Sequence, residues 1–141
     1  MKKHKQIRRS AFTLIEVVVV IVILVTLASI ATPLYMSYIK KANVGAAKTQ
    51  MKMLEDALTG YRLDIGSFPS ADAGLQALVE NVDNNEKWEG PYIKPAIPKD
   101  PWGNDYVYVI PGEHGEYDLT SYGADGQPGG TGENADINNW E

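Results

Sequence analysis

From Val17 to Ile39 the chain carries no charged residue, and its apolar positions run on without periodicity. About 20 such residues, rising 1.5 Å each, cross the hydrocarbon of a bilayer, so the pattern predicts a membrane-spanning helix. Past Lys40 the pattern becomes one-sided. Ala46, Ala47, Met51, Leu54, Ala57, Leu58 and Tyr61 recur at spacings of three and four, which places them on one helix face. Lys48, Lys52, Glu55 and Arg62 fall mainly on the other side. The two patterns abut, which predicts one long helix, apolar all round at first and then facing a core. Pro33 and Gly45 are softening points within it. Gly60 and Gly66 weaken its end, and Phe68-Pro69 stops it, because proline removes a donor and clashes with the preceding turn.

Beyond this helix the elements are short. Leu75, Leu78 and Val79 form the apolar side of a second helix, expected from about Asp72 to Glu80, with Ser70 as its cap. Residues 81 to 101 hold Pro91, Pro95, Pro98 and Pro101 and read as an ordered loop, with Trp88 as an exposed contact for a neighbour. Tyr106 to Ile110 is β-branched and aromatic, and Tyr117 to Ser121 is so in part. The turn-forming Pro111 to Glu116 between them predicts a hairpin. Gly123 to Glu141 holds too many glycines for regular structure to be expected. These elements define an α+β class: a long N-terminal helix packed on a small antiparallel sheet.

One acid interrupts the apolar segment near its start. Glu16 follows Ala11-Phe12-Thr13-Leu14-Ile15, and before it lie Lys2, Lys3, Lys5, Arg8 and Arg9 with no acid. A carboxylate at membrane depth costs a few kcal/mol, so it marks function more often than accident. A secretory signal cut after its apolar core is the rival reading, with small residues at Ala28 and Ala31. The apolar run is too long for that, and it enters helix-favouring sequence without a break. The helix is therefore expected to stay, with the basic N-terminus cytoplasmic and the C-terminal domain outside.

Composition narrows the field. The chain has 141 residues and no cysteine, so no disulfide or thiolate metal site can staple it. Its formal charge of −5 conceals an asymmetry. Without residues 1–11, eight basic residues face eighteen acids, near −10. No Lys or Arg follows Lys99, whereas acids recur from Asp100 to Glu141. Such a tail repels nucleic acid and invites a cation. His114, the one histidine outside the first eleven residues, makes no zinc site alone and reads as a turn residue. Trp102 reads as a packing anchor. No nucleophile–base pair, phosphate loop or redox motif stands out, so no enzyme activity is expected.

The basic leader, small residue and Phe12-Thr13-Leu14-Ile15-Glu16 together resemble the class III signal of type IV pilins and type II secretion pseudopilins. The resemblance implies that a prepilin peptidase cuts between Ala11 and Phe12 and N-methylates the new amine. Ala11 stands where the family usually has Gly, which implies slower cleavage. Pro33 fits the proline that the family helix commonly carries.

Further motifs narrow the resemblance. Tyr61-Arg62-Leu63-Asp64, Phe68-Pro69, Gly74-Leu75-Gln76-Ala77-Leu78, Asp100-Pro101-Trp102-Gly103, Pro111-Gly112, His114-Gly115, Ser121-Tyr122-Gly123, Asp125-Gly126, Asp136-Ile137 and Asn139-Trp140 resemble, in order, the major pseudopilins of type II secretion. This implies a cleaved leader over 1–11, an assembly helix over 12–35, and a periplasmic domain over 36–141 with a calcium loop at 121–140. Calcium takes six to eight oxygens, and no EF-hand pattern is present. The resemblance implies Asp125 and Asp136 as side-chain ligands and Tyr122 as a carbonyl ligand. Asn134 stands where relatives often carry aspartate. Glu133 and the glycines at 123, 126, 129, 130 and 132 belong to the same loop.

In function, the resemblance implies a structural subunit of an inner-membrane-anchored fibre, self-associating and working with minor pseudopilins and an inner-membrane assembly platform. Glu16 would pair with the Phe12 amine of an adjacent subunit, so that neither charge is left alone in hydrocarbon. The alternative is the major subunit of a type IV pilus for adhesion or motility.

Overall fold

The structure, a computed structural model, describes residues 12–141. The expected leader, Ala11 included, lies outside the described residues. The elements run α1 (Leu14–Ile65), a 3₁₀ turn (Gly74–Leu78), β1 (Val107–Val109), β2 (Asp118–Ser121), a second 3₁₀ turn (Gly132–Asn134) and β3 (Ile137–Asn138). The chain divides into two compact units between Tyr38 and Ile39.

Within the first unit the helix exposes its side chains throughout. It is long and apolar enough to cross a membrane. Three hydroxyls between Glu16 and Pro33 are satisfied internally. Thr26 donates to the Val22 carbonyl, Ser29 to Val25 and Thr32 to Ala28, each at 2.8 Å. In hydrocarbon no water would satisfy them, so this back-bonding keeps the polar atoms compatible with lipid.

In the second unit α1 buries Ala47, Met51, Leu54, Ala57, Leu58 and Tyr61. Ala46, expected on the same stripe, is exposed. At about 100° per residue, Ala46 falls beyond the edge of the face that Ala47, Met51, Leu54 and Leu58 turn to the core. Leu54, Leu58, Leu78 and Leu119 are fully buried together, and truncating one to alanine would cost about 2–5 kcal/mol. α1 ends in a left-handed glycine: Gly66 has φ +95° and donates to the Arg62 carbonyl at 2.8 Å.

The sheet is antiparallel in the order β1-β2-β3. Val107 faces Thr120 and Val109 faces Asp118 across the expected hairpin, while Ser121 faces Ile137 on the other side of β2. The glycine-rich tail is thus not irregular throughout, because β3 completes the sheet. The helix expected over 72–80 shrinks to the 3₁₀ turn, since Gly74 takes φ +56° and a left-handed residue cannot sit inside an α-helix. Its N-cap is Ala73 and not the expected Ser70, whose hydroxyl instead accepts from the Ala73 amide at 3.2 Å in the turn just before it.

Trp88 corrects a second expectation. It packs against the core instead of standing exposed, and its Nε1 donates to the Ala77 carbonyl at 2.8 Å. Tyr92 holds the same loop to α1, donating to Asp64 Oδ2 at 2.7 Å. Trp102 packs on the core.

Candidate functional site

Two regions carry the candidate residues, one in each unit. At the head of α1, Thr13 and Glu16 form a capping box, the arrangement in which an N-cap hydroxyl and an acid three residues on satisfy each other's amides. The Thr13 amide donates to Glu16 Oε2 at 2.8 Å, and the Thr13 hydroxyl donates to the same oxygen at 3.0 Å. In return Thr13 Oγ1 accepts from the Glu16 amide at 3.3 Å. Glu16 is therefore turned towards the start of the helix. Phe12, Ile15, Glu16, Val19 and Val20 line a shallow apolar groove there. The sequence motif contained this cap; the Thr-x-x-Glu spacing was its signal.

The second region is the loop after β2, and it is braced from below by the Asp100–Gly103 block. Asp100 is buried. Its Oδ1 accepts from the amides of Trp102 at 3.1 Å and Asn104 at 2.8 Å, and its Oδ2 accepts from the Ser121 hydroxyl at 2.7 Å. Asn104 then donates to the Gly123 carbonyl at 2.9 Å. The loop next closes on itself, because the Ala124 amide donates to the Glu133 carbonyl at 2.9 Å. Gly123 is required at this closure: at φ +64°, a Cβ would lie 2.6 Å from the Glu133 carbonyl oxygen. Gly130 is similarly pressed against the Asn134 carbonyl.

This closure brings the segment of Tyr122 and Asp125 against the segment of Asn134 and Asp136. Asp136 receives the Gly129 amide at 2.9 Å on each carboxylate oxygen, and Asp125 Oδ1 receives the Gln127 amide at 3.1 Å. Among the described residues, no three His, Cys, Asp or Glu side chains gather as a metal group. A cation here would rely on backbone carbonyls as much as on carboxylates. That all-oxygen donor chemistry, with carbonyls crowded against glycines, suits calcium and not a softer metal.

A third cluster went unread in the sequence. His114 lies in the β1–β2 turn as expected, yet its ring stacks on Trp140, 3.9 Å between centroids and 7° from parallel. Its Nδ1 lies 3.1 Å from Asp118 Oδ2. Asp118 is buried, which by itself would raise its pKa. The Glu113 and His114 amides and the His114 ring outweigh that and hold the carboxyl below its ordinary value.

An apolar helix headed by one capped carboxylate, together with a small three-stranded α+β domain, defines a subunit of the pilin type. Residues 34–140 match the family model of the type II secretion system (T2SS), protein G, and residues 7–32 match the prokaryotic N-terminal methylation motif. The chain belongs to the type II secretion system protein G family.

It is 48% identical to the type II secretion system core protein G of Vibrio cholerae, over 99% of this chain and 96% of that one. Its identity to the core protein G of Pseudomonas aeruginosa is 44%, over 95% of this chain and 96% of the relative. For that of Escherichia coli K12 it is 46%, over 94% and 92%. A solved major pseudopilin from the type 2 secretion system of enterohaemorrhagic Escherichia coli matches with a TM-score of 0.61 at 36% identity. The match covers 74% of this chain and 92% of that one. These relatives support the secretion pseudopilin and not the type IV pilus subunit.

Proposed function

We propose that this chain is the major pseudopilin of a type II secretion system, a structural subunit that polymerises into a periplasmic fibre driving folded proteins across the outer membrane. The observation that carries the reading is family membership over nearly the whole length. The single-carboxylate helix agrees with it. Prepilin peptidase cuts between Ala11 and Phe12 and methylates the Phe12 amine. The basic leader keeps the N-terminus cytoplasmic, so the domain after the helix lies in the periplasm. The inner-membrane assembly platform then adds the subunit to a fibre that also holds minor pseudopilins.

At the joint, Glu16 meets the positive Phe12 amine of the neighbouring subunit. The Thr13 cap turns the carboxylate towards the helix start, where that amine would arrive. A subunit out of register leaves both charges unpaired, so the pair selects register while the apolar faces supply packing. The contact is heterologous and open-ended, as a fibre requires.

In the C-terminal loop, Asp125, Asp136, Asn134 and the Tyr122 carbonyl would hold calcium. The ion would neutralise the acid-bearing segments and fix the loop on the sheet. Deleting the gene and restoring it tests the function. Export of folded proteins should stop on deletion, with the cargo accumulating in the periplasm, and resume on restoration. Normal export without the chain would overturn the proposal.

A further inference from the structure

Three acids lie in the closed loop, and one of them, Glu133, is paired with a lysine of α1. Lys40 Nζ lies 3.3 Å from Glu133 Oε2, with the Glu133 side chain 24% exposed and that of Lys40 55%. Lys40 is the first charged residue after Glu16, at the point where the apolar run ends. The backbone of Glu133 closes the loop at the same time, its carbonyl accepting from the Ala124 amide at 2.9 Å. One residue thus joins the loop's closure to α1.

We propose that Glu133 is a positioning residue and not a calcium ligand, and that through Lys40 it couples occupancy of the loop to the order of α1 just beyond its apolar segment. The coupling rests on calcium being the ion that the loop takes. The physical basis is reciprocity. If the ion pair forms only when the loop is closed, whatever closes the loop steadies Lys40, and Lys40 in turn favours the closed loop by the same factor. A half-exposed ion pair supports a coupling of at most about fivefold.

The test is a double-mutant cycle on the full chain in detergent, with calcium titrated calorimetrically into wild type, Lys40→Met, Glu133→Gln and the double variant. Each single substitution should weaken calcium binding about two- to fivefold, and the double variant no more than either. Hydrogen exchange supplies the second readout. Calcium should slow exchange at amides 40–47 in wild type and in Lys40→Arg, and should leave them unchanged in Lys40→Met and Glu133→Gln.

Were Glu133 a ligand, Glu133→Gln would weaken binding about a hundredfold while Lys40→Met changed nothing, and the proposal would fall. Tight binding indifferent to both substitutions would also overturn it while sparing the calcium reading. A wild-type chain that binds no calcium would overturn the calcium reading and the coupling together.

Discussion

Asp100 and Ser121 meet inside the domain through a 2.7 Å hydrogen bond, and the other oxygen of Asp100 organises the turn that carries Trp102. One buried carboxylate therefore locks the loop before β1 to the end of β2. Asp100→Ala would leave two amides and a hydroxyl without their partner. The expected loss is about 2–3 kcal/mol, or a melting temperature lower by roughly 10–20 °C for a domain of this size. Asp100→Asn keeps an oxygen for the amides and should lose less than half as much. Thermal melting of the three proteins would decide it, and equal losses for both variants would refute the division of labour between the oxygens.

The capping box separates two roles of Glu16 that a single alanine substitution would confound. Glutamine can still accept from the Thr13 amide, so Glu16→Gln retains the cap and loses the charge. Both Glu16→Gln and Glu16→Ala should insert and be processed to an N-methylated Phe12, yet assemble few or no fibres. Intact-mass spectrometry checks processing, and electron microscopy of sheared fibres checks assembly. Normal fibres from Glu16→Gln would assign the residue to helix capping alone.

Calcium should stabilise the chain by RT ln(1 + [L]/Kd), about 2.7 kcal/mol at a hundredfold excess. That corresponds to a melting shift of roughly 10–20 °C. Asp125→Ala and Asp136→Ala should each abolish most of it. Magnesium should replace calcium poorly, since it demands tighter octahedral geometry. Melting in calcium, magnesium and chelator makes the comparison. Superimposable wild-type curves in calcium and chelator would reduce the loop to a solvated acidic segment.

Asp118 should make stability depend on acid. Its folded pKa lies below the ordinary carboxylate value, because the amide and imidazole contacts outweigh burial. Its contribution is therefore full above the unfolded pKa and is lost as pH falls through the folded one. Asp118→Asn should be less stable than wild type at pH 7, with the difference narrowing below about pH 4. Urea midpoints between pH 2 and 7 would measure this. A gap that stayed constant across the range would detach the effect from ionisation.

The parts of this molecule that a local pattern determines could be read without coordinates. The helix stripe from Ala47 to Tyr61, its stop near Gly66, and the hairpin around Pro111–Glu116 depend on neighbours three, four or two residues away. What escaped depends on distant partners. Trp88 is drawn in by the Ala77 carbonyl, and nothing beside it in the chain marks that acceptor. β3 is two residues long, and much of its attachment comes from asparagine side chains: Asn139 Oδ1 accepts from the Leu119 amide and Asn138 Oδ1 from the Thr120 hydroxyl. Strand propensity has no measure of such bonds. The same holds for His114, whose stacking partner Trp140 comes from beyond the glycine-rich loop.

The back-bonded hydroxyls of Thr26, Ser29 and Thr32 carry a consequence for any bundle that α1 joins in lipid. With those groups engaged on their own helix, the segment offers its neighbours no other polar foothold between Glu16 and Pro33. Its surface from Val17 to Val25 is almost wholly valine, isoleucine and leucine. Sliding one helix along another by a turn, about 5.4 Å, exchanges branched aliphatic for branched aliphatic at little cost. Lateral position is then nearly degenerate over many turns, and one carboxylate must break the tie. Such a bundle can be dense and well packed yet have only one landmark along its length. Erasing that landmark would leave the helices gathered but out of step.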